Sequence, residues 1–159
     1  MRIEISIQQQ ALKLLDSFGG LRAKYPVSTA ANGAGCEKNS NCTPLGQHII
    51  RAKIGARALP NTVFVGRRAT GEICMPELME AFPNRDWILT RILWLSGTEV
   101  GVNRLGNVDT MQRYIYIHGT PDSTDMDEIG SHGCVRMRND DIIALFDLVD
   151  AGTPVLISD

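Results

Sequence analysis

RYIYIHGT, Arg113 to Thr120, and SHGCVRMRNDD, Ser131 to Asp141, together decide how this chain is read. In the first stretch Ile115 and Ile117 point one way while Tyr114, Tyr116 and His118 point the other, the period of a strand with one buried face. In the second the period lengthens after Asn139: Ile142, Leu145, Phe146 and Val149 recur at helical spacing. Asn139 is the expected N-cap, Asp140 and Asp141 favour the positive end of the helix dipole, and Gly152 is the expected stop. A strand ending at His118 therefore leads, through a loop carrying Cys134, into a C-terminal helix. TPVLIS, Thr153 to Ser158, closes the chain as a strand.

Working outward, RIEISI alternates Ile3, Ile5 and Ile7 with polar neighbours, and QALKLLD and LRAKYPVST extend it into a three-strand meander. GQHIIRAKIG, NTVFVG and WILTRILWLSG read as further strands, the last with the aromatic and branched residues of a central one. ICMPELMEAF is weakly helical. Residues 31–44 and 97–110 are polar, glycine-bearing loops of a length that compact domains often use for function. The fold class expected is mostly β (α+β): a β-sandwich with one C-terminal helix after the loop that carries the cysteine.

Composition narrows the partners. With 159 residues, 43% hydrophobic and 21% charged, and a net charge of -2, the chain suits one domain with its own core. It lacks the basic excess of a nucleic-acid binder, so no nucleic-acid partner is expected. Glu4 and Gln8 to Gln10 interrupt any apolar leader, and no run approaches a membrane span. The expected location is the cytoplasm, or the periplasm if a leader has been removed. Cys36, Cys42, Cys74 and Cys134 are expected as thiols; Cys36 and Cys42 are close enough in sequence to pair only in an exported protein.

The chemistry centres on Cys134. A cysteine attacks a carbonyl as thiolate and needs a base or positive charge nearby. His132 stands two residues away, about 6.5–7 Å in an extended chain, too far without a bend at Gly133. His118 arrives from another segment, the usual arrangement for a Cys–His pair, and the Gly119 carbonyl can hold its far nitrogen. His118 is therefore the preferred base and His132 the support. Gly133 leaves space for a substrate backbone, and the amides of Gly133 and Cys134 are candidate oxyanion donors. Arg136 is a candidate carboxylate fork or a structural brace, and Tyr116 a candidate groove residue or packing. His48 has no partner visible in the sequence.

IHGT (Ile117 to Thr120) with SHGCVRM (Ser131 to Met137), together with TPLG (Thr43 to Gly46) and the closing helix, resembles the L,D-transpeptidase (YkuD) family. The resemblance implies residues 1–159 as one catalytic domain, with Cys134 as nucleophile, His118 as base, Gly119 as orienting carbonyl, His132 and Gly133 on the oxyanion side, and Ser131 and Arg136 supporting or contacting substrate. It implies a peptidoglycan tetrapeptide or muropeptide as partner, a thioester intermediate, release of D-alanine, no cofactor, and acylation of Cys134 by carbapenems. With a leader expected to be absent, hydrolysis (L,D-carboxypeptidase) is the preferred outcome and crosslinking or D-amino-acid exchange the alternative. Zinc held by His118, His132 and Cys134, and a non-catalytic muropeptide-binding module, are the remaining readings.

Overall fold

Three antiparallel strands open the chain in the computed structural model, which describes residues 1–159: β1 (Arg2–Ser6), β2 (Ala11–Leu15) and β3 (Leu21–Pro26). β4 (Gly46–Ile54), β5 (Thr62–Val65), β6 (Arg68–Ile73), a short helix α1 (Pro76–Ala81), β7 (Leu89–Gly97), β8 (Tyr116–Gly119), β9 (Val135–Met137), helix α2 (Asn139–Leu148) and β10 (Pro154–Ser158) follow. The fold is mostly β, one curled sheet in the order β3-β2-β1-β10-β4-β7-β5-β6, with β8 on β7 and β9 on β8. The layers of the expected sandwich are thus parts of one hydrogen-bonded sheet. The chain's ends are tied together inside it, since β1 runs parallel to β10 with Ile3 opposite Val155.

β7 is the fork of the sheet. One edge pairs with β8, at Leu89 and at Ile92 to Trp94, and the other with β4 at Ile92 to Gly97 and with β5 at Leu89. The alternation of RIEISI and the apolar run of β7 place Ile3, Ile5, Leu93 and Leu95 in the main core beside Ile117, Val135 and the Ile142, Leu145 and Phe146 stripe of α2. Each such aliphatic side chain contributes about 1.5–3 kcal/mol on full burial. Lys53 of β4 fastens α2 to the sheet: its Nζ donates to the carbonyls of Phe146 and Val149, both at 2.7 Å, and lies 4.2 Å from the Phe146 ring centroid. A cation there satisfies carbonyls that the helix end leaves open.

Several expectations are corrected. Helix α2 is where periodicity puts it, but the Asn139 side chain does not cap it. That side chain is turned inward, donating to Asn61 Oδ1 (2.9 Å) and Asp122 Oδ1 (3.2 Å) and accepting from Thr90 Oγ1 (2.5 Å). Gly152 does not end the helix either: it has φ +92 in the turn before β10, where its N–H reaches Ile50 O at 2.8 Å. The strand expected from Arg113 begins only at Tyr116, because Tyr114 adopts φ +56. β8 is buried on both faces, since the loop around Cys134 covers the side that alternation assigned to solvent. β6 and β9 carry too few apolar residues to be read as strands and are held by pairing with β5 and β8. No helix is long and apolar enough to cross a membrane.

Candidate active site

β8 and β9 lie side by side and parallel, with His118 opposite Arg136. This pairing carries Cys134, the residue before β9, next to the strand that bears His118. Cys134 and His118 line one cavity of about 460 Å³, with His132, Tyr116, Asp86 and Arg113 around it. The sequence-distant histidine and the cysteine are therefore brought together, and His132 sits exposed at the rim of the same cavity.

His118 is held in a single orientation. Its Nδ1–H donates to the Gly119 carbonyl at 2.6 Å, leaving Nε2 as the basic nitrogen. Position 119 requires glycine: a Cβ would fall on Asn139 Oδ1 and within 2.7 Å of the Leu89 carbonyl. The inward-turned Asn139 thus sits against the Cα of the residue whose carbonyl orients the imidazole. Thr90, which bonds to it, holds φ +74, a strained value for a β-branched residue, at an irregularity in β7.

The cysteine loop is braced by Ser131. Its hydroxyl donates to the Cys134 carbonyl at 2.5 Å and accepts from the Gly133 amide at 3.2 Å. The Gly133 amide, a candidate oxyanion donor in the sequence, is therefore already engaged, while no protein acceptor takes the Cys134 amide. Gly133 has φ +130, and a Cβ there would meet Ile115 Cδ1 at 2.8 Å and the Cys42 carbonyl at 3.1 Å. Its glycine is required by the bend and by the loop packed over it. Thr43 fixes that loop by donating to the Gly133 carbonyl at 2.9 Å.

The sulfur receives the Tyr116 N–H at 3.3 Å, and its own proton points to the Tyr114 carbonyl at 3.4 Å. No direct hydrogen bond joins it to His118 in this resting arrangement. Burial is the largest influence on the thiol and pushes it up to about 12, Asp86 adding to the rise, while the Tyr116 N–H, Arg136 and Arg113 pull it back. Burial also lowers His118, against the Gly119 bond and Asp86, which raise it, and with Arg136, which lowers it further. Resting charge thus differs from a preformed thiolate: a neutral thiol stands beside a neutral imidazole, and ionisation belongs to the reaction step.

Arg136, read from sequence as a carboxylate fork or a structural brace, is not among the residues that line the cavity. Its Nη2 is 3.9 Å from Asp86 Oδ1, and its backbone pairs with Ser28. Tyr116 lines the cavity from below, its ring edge-on to Trp94 at 6.0 Å. His118, His132 and Cys134, considered as zinc ligands, do not converge into a ligand cluster. Cys36 and Cys42 are free thiols, each bonded to loop backbone. His48 does have partners: it is buried, between the Gly46 carbonyl and the Thr110 hydroxyl, each at 3.0 Å.

Sequence reasoning missed three charged residues of the cavity. Arg113 donates to the carbonyls of Gly35 (3.2 Å) and Cys42 (2.6 Å), clamping the 31–44 loop beside the cysteine. Its one signal was its place directly before the IYIHG run. Arg67 and Asp86 come from a hairpin turn and an irregular segment, and nothing in VGRR or NRDW announces them.

Comparison with known proteins bears on the family and the fold. The family model described as L,D-transpeptidase catalytic domain (YkuD) matches residues 1–157. A Bacillus subtilis (strain 168) protein, provisionally named L,D-transpeptidase YqjB, is 44% identical over 43 residues, 27% of this chain and 24% of that protein. Among solved structures, Bd1075 of Bdellovibrio bacteriovorus superposes with a TM-score of 0.62 at 20% identity, over 99% of this chain and 47% of that one. L,D-transpeptidase 3 from Mycobacterium tuberculosis, in complex with a faropenem-derived adduct, gives 0.59 at 16% identity, over 99% and 59%. The chain therefore spans about half the length of these structural neighbours, and its 43 matched residues cover about a quarter of the Bacillus protein.

Proposed function

Because the chain belongs to the L,D-transpeptidase catalytic-domain (YkuD) family, we propose that it is a cysteine acyltransferase acting on peptidoglycan peptide stems. The observation that carries this reading is the His118 ring, fixed through Nδ1 on the Gly119 carbonyl with Nε2 left as base, in the cavity that Cys134 lines. In the proposed reaction the thiol turns from the Tyr114 carbonyl and passes its proton to Nε2 as Sγ attacks the carbonyl of the third stem residue. Hydrogen bonds in a resting site often tighten only when substrate is present. The Cys134 amide is the proposed donor to the oxyanion. Collapse of the tetrahedral intermediate breaks the amide bond, the imidazolium returns its proton to the departing D-alanine amine, and the acyl group stays on sulfur as a thioester.

Water, deprotonated by His118, then releases the acid and restores the thiol, which makes the enzyme an L,D-carboxypeptidase. An amine in place of water gives a crosslink or exchange product. Either acceptor would meet the thioester in the cavity of about 460 Å³ that Cys134 and His118 line. Mass spectrometry of products from a soluble tetrapeptide, with and without an amine acceptor, tests the proposal. Tripeptide and D-alanine, with no dimer, are expected; dimer as the main product would reverse the acceptor, and no conversion would refute the acyl-transfer reading.

A further inference from the structure

One cation in the groove has no part in the chemistry at sulfur. Arg67 is the second residue of the two-residue turn between β5 and β6, where Val65 pairs with Arg68. Both turn residues have positive φ, +55 at Gly66 and +64 at Arg67. Hairpins of this type favour glycine or asparagine there, so an arginine carries backbone strain of the kind that collects at functional sites. Tyr114, facing it, is strained in the same way at φ +56.

The two meet over the cavity. The Arg67 guanidinium lies 4.8 Å from the Tyr114 ring centroid and 4.9 Å from that of Trp94, and its Nη1 donates to the Tyr116 hydroxyl at 3.0 Å. Three aromatic side chains thus fix the plane of its fork, which removes much of the entropy lost when a long side chain binds a ligand. No carboxylate pairs with it. Beyond the Tyr116 bond its N–H groups meet no protein acceptor, and the residue lines the cavity shared by Cys134 and His118. Tyr116 spans the gap between them, accepting from Arg67 at its phenol and donating from its backbone to the Cys134 sulfur.

We infer that Arg67 is a specificity-determining residue that binds a carboxylate of the peptide attacked by Cys134. The inference rests on the acyl-transfer reading above. Two carboxylates of such a peptide have the right chemistry: one on the side chain of the residue that donates the acyl group, and one at the C-terminus of the residue that leaves.

Measuring kcat/KM on three peptides separates the sources: the free peptide, the same peptide amidated on the side chain, and the same peptide amidated at the C-terminus. The wild type is expected to prefer the free peptide over one amidated form by about ten- to a hundredfold, the usual worth of a hydrogen bond to a charged group. In Arg67→Gln that preference should shrink to about twofold, through loss on the free peptide alone, with partial recovery in Arg67→Lys. The amidated form against which preference collapses identifies the carboxylate. Arg67→Asn, which suits the left-handed turn, repeats the test if the glutamine variant folds poorly. Equal losses on all three peptides, or a preference that survives substitution, overturn the role of Arg67 alone. Absence of wild-type turnover on every peptide overturns the acyl-transfer reading and this inference with it.

Discussion

Replacing Asn139 by alanine separates two roles for the same residue. As a surface N-cap it would be worth about 1 kcal/mol. The structure instead gives it three side-chain hydrogen bonds, to Thr90, Asn61 and Asp122, in a buried position. At about 1 kcal/mol each these sum to about 3 kcal/mol. Thr90 is fully buried and in the variant its hydroxyl loses the acceptor for its proton, keeping only the Asn61 amide that donates to it, whereas Asp122 is exposed and returns to water. Urea unfolding of Asn139→Ala should therefore show a loss of about 3 kcal/mol, a midpoint shift of about 1.5 M for a slope near 2 kcal/mol/M. Activity should fall further than stability explains, because the Asn139 side-chain oxygen packs against the Cα of Gly119, the residue whose carbonyl holds His118. A loss near 1 kcal/mol with full activity would restore the cap and refute the role of these three inward hydrogen bonds.

Acid sensitivity should trace in part to His48. Burial depresses its pKa from 6.5 to about 4, so the unfolded chain takes up a proton that the folded one refuses. Stability is present above pH 6.5 and lost as pH falls toward 4, by about 3 kcal/mol at ~1.4 kcal/mol per pKa unit. Chemical denaturation across that window should flatten in His48→Gln, and an unchanged slope would count against the buried neutral ring. Lys53→Met removes the cation from the end of α2 and should lower stability by about 1.5–3 kcal/mol, the range for hydrogen bonds to a charged group. A thermal melt within error of the wild type would show those contacts to be idle.

The elements legible in the sequence were those whose burial follows a simple period. Ile3, Ile5 and Ile7 announced β1, and Ile142, Leu145 and Phe146 announced α2, because a half-buried strand and an amphipathic helix each have one characteristic repeat. β9 has three residues and β6 is largely exposed, so neighbouring strands rather than their own patterns define them. Asn139 was misread for a related reason: its position fits an N-cap locally, and only the packing of β7, the turn before β5 and the 120–130 segment supplies the inward partners. At the site, the placing of His118, Gly119 and Cys134 together was legible from their motifs. Arg67, Asp86 and Arg113 were not, since isolated charges in turns have no periodicity and converge only when the sheet curls.

Rates of covalent modification of Cys134 by a carbapenem, followed by intact mass and peptide mapping in wild type and His118→Gln, test the central claim that His118 Nε2 takes the proton of this thiol. One adduct is expected, on Cys134, forming about 10²- to 10⁴-fold more slowly in the variant, the usual contribution of a positioned base. An adduct on Cys36, Cys42 or Cys74, or equal rates in the two proteins, would contradict it.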